Sequence, residues 1–203
     1  TSIFPRGGES DYTLVLADGV PQNAFGGAFD AAHLPTSDLE RIEIVGGPQS
    51  ALFGGGAIGG IVQLITRRGG PWRGDVIGET GAYGTTRTGG GIAGSAGPWT
   101  MAGSAERLAS DGDRRTRASI GGPVSNDDYE RWSATASLGW SDRPGRRERV
   151  DVRRSRSERG FPGAYGSDPL GLYGGLDMIS RGENDVTTVA GTAAFRSGPV
   201  QHS

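Results

Sequence analysis

The sequence predicts a compact α+β unit over residues 1–70, followed from 71 to 203 by antiparallel strands of a transmembrane β-barrel, about six of them. Three observations predict it. Residues 11–69 hold three short apolar strand candidates, at 13–16, 41–45 and 60–66, separated by glycine-rich connections. Residues 131–140 alternate without a break: Trp132, Ala134, Ala136, Leu138 and Trp140 share one face, and Arg131, Ser133, Thr135, Ser137 and Gly139 share the other. Finally, the connections after residue 97 are alternately short and long, as barrel turns and outer loops are.

In the first unit, strand 13–16 runs into Asp18-Gly19, a turn signal, and then into a small-residue loop over 22–29. Residues 34–38 read as a short helical turn capped by Ser37 or Asp38. The next segment, 39–45, alternates Leu39, Arg41, Glu43 and Val45 with Glu40, Ile42 and Ile44, and is expected to be a half-buried strand. Gly46-Gly47-Pro48 ends it, and Pro48 suits the start of a one- to two-turn helix over 49–53. A glycine-rich turn then leads into the apolar strand 61–66.

In the second unit, the two tryptophans of 131–140 stand eight residues apart, about 27 Å along a strand. A tilt of about 40° reduces this to about 20 Å, near the height of an outer-membrane apolar band between its aromatic girdles. Further strands are expected at 75–83, 87–96, 99–108, 147–156 and 186–195, the fourth of them charged on both faces. Barrels that enclose a separate unit use about 22 strands, so a partial barrel with open edges is expected.

Composition narrows the function. The 21 basic residues are all Arg and face 23 acidic ones, so the net charge of −2 offers no pull toward nucleic acid. The absence of cysteine excludes a disulfide scaffold, a thiolate zinc site and a cysteine nucleophile. The glycines at 54–56, 59 and 60 do not make a phosphate loop, which needs a Lys that the chain lacks. His33 and His202 lie far apart, and neither an HExxH nor a GxSxG motif occurs, so no enzyme is expected. No signal peptide is visible at the start, and no stretch has the length of a membrane-spanning helix.

Five segments, in order and at fitting spacing, carry a resemblance: Phe4-Pro5-Arg6-Gly7-Gly8, the run LVLADGVP at 14–21, LERIEIV at 39–45, GPQSALFG at 47–54 and AIGGIVQLIT at 57–66. Together they resemble the plug domain of TonB-dependent outer-membrane receptors, in its C-terminal part. Residues 71–203 are similar in style to the first barrel strands of such receptors, with Phe161-Pro162-Gly163 and Asn184 resembling cobalamin- and siderophore-receptor-like members. The Arg that usually precedes Gly-Pro in the family is replaced here by Gly46.

The resemblance implies active uptake of an iron–siderophore, cobalamin or similar large scarce ligand across a Gram-negative outer membrane, driven by a TonB-type energy-transducing partner. It implies no cofactor. Arg6 and Arg41 become candidates for plug–barrel ion pairs. Amide and aromatic groups on a loop held by a rigid sheet suit ligand capture, which singles out Gln22, Asn23, Phe25 and Phe29. Tyr165, Asp168 and Tyr173 are candidate contacts on the long loop over 161–184, and Asp111 and Asp113 are weak calcium candidates. The alternative is a passive porin-like or adhesin barrel in which the glycine-rich unit is a constriction module.

Overall fold

A computed structural model describes residues 9–23, 27, 29, 31, 36–113, 116–117, 122–123, 126–142, 145–163, 177, 179–197 and 200–202. The first unit is built on strands β1 (Thr13–Ala17), β2 (Val20–Pro21), β3 (Leu39–Gly46) and β4 (Gly60–Thr66), with one short helix, α1 (Ser50–Phe53). Asp18 and Gly19 make the two-residue turn between β1 and β2, both at positive φ, as such hairpins require. The sheet order is β2-β1-β4-β3, with β1 parallel to β4 and β3 antiparallel to it. Gly60 sits at φ 147°, where a Cβ would lie 2.6 Å from the Val45 carbonyl oxygen, so the β3–β4 junction closes only on glycine.

Apolar side chains on both faces of β1 and β4 form the core. Val15, Ala17, Val62 and Leu64 cluster on one side, and Leu16, Ala57 and Ile61 form a second cluster. The expected half-burial of β3 does not occur. It is the sheet's outer strand, and Ile42, Ile44 and Val45 are 49%, 75% and 47% exposed. Alternation in the sequence marked a strand there, but with β4 on one side alone, no layer among the described residues covers it.

The second unit is a single antiparallel sheet in the order β5-β6-β7-β10-β11-β12-β13. Its strands are β5 (Arg73–Thr80), β6 (Thr86–Ala96), β7 (Trp99–Ser110), β10 (Tyr129–Trp140), β11 (Arg146–Gly160), β12 (Arg181–Ser197) and the three-residue β13 (Val200–His202). A two-stranded ribbon, β8 (Thr116–Arg117) with β9 (Gly122–Pro123), lies in the connection between β7 and β10. The six long strands coincide with the six expected ones; β11 and β12 extend further, to 15 and 17 residues. Both outer strands of the sheet are open.

The pleat sorts the side chains. On β10 the predicted apolar face points away from the first unit, with Trp132, Ala134, Ala136 and Leu138 exposed, while Arg131, Ser133 and Gly139 on the opposite face are buried. The register carries this face across the sheet. Leu138 stands opposite Met101 and Val150, and Ala136 stands opposite Gly103 and Val152, with Val189 the next strand over. Trp99 pairs with Trp140 at one rim, and Arg146 stacks 5.0 Å over the Trp140 ring. Trp72 lies across Gly94 near the same rim, where any Cβ would strike its ring. At the other rim Trp132 is covered by Arg154 at 5.5 Å, beyond which the outward face is charged: Arg107–Glu130 and Arg156–Glu183. An apolar band with aromatic rings at both margins and ion pairs above it is the exterior of a transmembrane barrel wall.

Placing a charge on that band tests its orientation. Ala136→Arg, outward and at mid-height, is expected to destabilise the lipid-inserted fold by about 2–4 kcal/mol. The same change at outward Glu130, above the band, is expected to cost under about 1 kcal/mol, both read from denaturant titrations in lipid vesicles.

Candidate functional site: the seam between the two units

The inward face of the wall is lined by small residues, Gly89, Gly91, Ser104, Ser133, Thr135 and Ser137, punctuated by charges. Alternation on β11 puts Arg149, Asp151 and Arg153 on this face, and β6, β7 and β10 add Arg87, Glu106 and Arg131. The first unit meets them with polar groups from three turns: Asp18 after β1, Thr36 to Asp38 before β3, and Thr66 to Arg68 at the end of β4.

Among the described residues five arginines join the units, one of them Arg73 of β5, which donates to Glu40 of β3 at 3.4 Å. Arg153 donates to Asp38 Oδ2 at 2.8 Å, with 14% and 6% of the two side chains exposed. Arg149 donates to Thr66 Oγ1 at 3.2 Å and lies 3.9 Å from Asp18. Arg87 donates to Thr36 Oγ1 at 2.8 Å, and Arg67 pairs with Asp75 of β5. Within the wall, Glu106 is fully buried and accepts from Arg87 at 2.8 Å and Arg131 at 2.6 Å. Removing one partner from such a group strands the other charge, at a cost of about 3–5 kcal/mol.

Two carboxylates of the first unit are shifted in opposite directions. Asp18 is pulled upward by burial, but hydrogen bonds from Thr66 (Oγ1 at 2.5 Å, N at 3.1 Å) and Arg68 (2.9 Å) outweigh it and hold the acid below its ordinary value, with help from Arg149. Asp38 is raised: burial dominates, the Arg153 charge opposes it, and the carboxylates of Asp18 and Glu106 add to the rise. Among the described residues the buried Asp38 Oδ1 and the neighbouring Ser37 Oγ have no hydrogen-bond partner. The two residues border a cavity of about 50 Å³ between the units, together with Gln22, Ser104, Thr135 and Arg153.

The residues singled out from sequence are distributed as follows. Gln22 borders the cavity, and its amide donates to the carbonyls of Val20 and Pro21. Asn23 braces β1: its Oδ1 accepts from Val15 N at 2.8 Å and its Nδ2 donates to Thr13 O at 2.9 Å, as a paired strand would. Phe29 packs against the Val15–Leu64 cluster. Arg41 pairs with Glu43 at 2.7 Å and Glu40 at 3.8 Å on its own strand. Arg6, Phe25, Tyr165, Asp168 and Tyr173 lie outside the described residues. Asp127 accepts from the Asp113 amide at 2.9 Å, and no group of three acidic or histidine side chains placed to hold a metal occurs among the described residues, Asp111 and Asp113 included. The seam pairs themselves were missed. Their one sequence signal was the charge on both faces of β11, where the inward set turned out to be the seam.

A wall with an apolar exterior and a polar inner face packed on a small α+β body defines a plugged outer-membrane-type barrel. Residues 1–61 match the family described as the TonB-dependent Receptor Plug Domain. The described fold resembles the siderophore receptor PirA from Acinetobacter baumannii (TM-score 0.71, 18% identity, 98% of this chain and 32% of that one). It also resembles the ferric yersiniabactin uptake receptor FyuA from Yersinia pestis (0.68, 19%, 92% and 30%) and PirA from Pseudomonas aeruginosa (0.58, 25%, 76% and 27%). The family match thus covers the first unit, and the chain spans about a third of the length of the solved receptors whose fold it shares.

The opposed shifts give plug stability two pH limbs. Burial raises the Asp38 pKa in the folded protein, so stability rises as pH falls through that raised value toward the ordinary carboxylate value of about 3.9. Asp18 does the reverse: its contribution is complete above that value and is lost as pH falls below it. Urea midpoints measured against pH are expected to lose the rising limb in Asp38→Asn and to show a shallower acid fall in Asp18→Asn.

Proposed function

We propose that this chain is the plug and adjoining wall of an outer-membrane receptor that takes up an iron–siderophore, or a cobalamin-like ligand of similar size, at the expense of energy delivered by a TonB-type partner. The observation that carries this reading is the plug domain seated on the polar inner face of a lipid-belted sheet, a fold shared with siderophore receptors. A lumen filled in this way does not pass a large solute until the plug moves. The seam suits such movement, because its contacts are polar, discrete and few, and the wall residues between them are small.

In this reading the ligand meets the plug loop that carries Gln22, Asn23, Phe25 and Phe29 and the outer loop that carries Tyr165, Asp168 and Tyr173. That outer loop is anchored at its base. Asn126 Nδ2 donates to the carbonyls of Asp177 and Ser180, and Asp128 pairs with Arg181 at 2.7 Å, tying it to the neighbouring long loop. Outer-membrane lipid surrounds the apolar band.

Growth under iron limitation tests the proposal. Cells that carry the full-length gene are expected to grow on a panel of ferric siderophores in which at least one depends on the gene, and to lose that growth when the inner-membrane energy transducer is deleted. Uptake that survives loss of the transducer would instead identify a passive channel.

A further inference from the structure

Arg153 is the most buried of the wall charges that pair with the plug alone among the described residues; Arg73 and Asp75 of β5 do so too, with 50% and 30% of their side chains exposed against 14%. Among the described residues its sole ion partner is Asp38, which belongs to the plug, whereas Arg149 also holds Asp151 of its own strand. Asp38, which lines the seam cavity, answers with one oxygen; the other is buried and has no partner among the described residues. A guanidinium presents a planar fork that a carboxylate fills best with both oxygens. The resting pair therefore leaves the fork half used. Arg149 lies four residues away on the same inward face, about 13 Å along the strand. The wall beside Arg153 is Gly91, Ser104, Thr135 and Thr188, side chains small enough to leave room for another group.

We propose that Arg153, seconded by Arg149, is an oxyanion-binding site of the barrel wall, which Asp38 of the plug occupies at rest and a carboxylate group of the passing ligand occupies when the plug shifts. This rests on the uptake reading for its ligand, but not for the site itself. Plug withdrawal without a replacement anion would leave a poorly hydrated guanidinium unpaired, a costly state. A ligand carboxylate removes that cost, so its arrival and the release of Asp38 favour one another. The burial that raises the proton affinity of Asp38 acts in the same direction, because it weakens the resident's hold.

Chemical rescue tests the site without any transport. In the purified full-length protein, Asp38→Ala is expected to lower the melting temperature, and formate is expected to restore at least half of the loss, compared with chloride at equal ionic strength. Wild type, with its site filled, and the Asp38→Ala/Arg153→Gln double variant are expected to show no such difference. A formate response no larger in Asp38→Ala than in the double variant overturns the proposal. Should Asp38→Ala not fold, phenylglyoxal modification of Arg153 in Asp38→Asn, followed by mass spectrometry, gives a second measurement. Formate is expected to slow that modification several-fold; an unchanged rate also overturns the proposal. Failure of either test leaves the iron-limited growth result standing.

Discussion

The strict two-residue alternation of the pleated wall is the constraint on which the remaining features depend. Successive side chains of β5 to β12 must face opposite sides, so one sequence has to satisfy lipid and plug at once. Outward positions are apolar through the band and charged above it; inward positions beside the plug, among them Ser104, Thr135, Ser137, Arg149 and Arg153, are small or ionic. A register slip by one residue would turn Arg131, Arg149 and Arg153 toward hydrocarbon and Leu138, Val150 and Val152 toward the plug. The long, unbroken ladders between β7, β10, β11 and β12 hold that register.

On the inner face the plug is held by polar contacts. Apolar packing across the seam would tie the plug in proportion to buried area. Ion pairs act differently: desolvation cancels much of their attraction, so they add little net stability while fixing one geometry. Asp38–Arg153 and Arg149 with Asp18 and Thr66 are of this kind. Glu106, held by two arginines of the wall and buried completely, belongs instead to the fixed part. The apolar clusters of the plug lie within the plug itself, around β1 and β4.

Local patterns made most of the fold legible. Thr13–Ala17 and Gly60–Thr66 are apolar runs bounded by turn residues, Asp18-Gly19 carries its own turn geometry, and the outward face of β10 spells out the membrane band residue by residue. Beta-strand β3 shows the limit. Its alternation was real, but burial depends on what lies above a strand, and this one is at the sheet's margin. The site was less legible still. Asn23 has the amide expected of a ligand contact, yet both its ends bond to β1. Arg41, expected to reach the wall, is held by Glu43 two positions away.

Sequence alone located the six long wall strands (though not the full lengths of β11 and β12), the outward side of β10 and the resemblance of the first seventy residues, because each is written in neighbours or in a short period along the chain. Tertiary structure alone decided the seam. Arg153 and Asp38 are 115 residues apart, and Arg149 and Thr66 are 83 apart. No local period links such positions; they meet because the wall's register and the plug's turns bring opposite charges into a space that water scarcely enters.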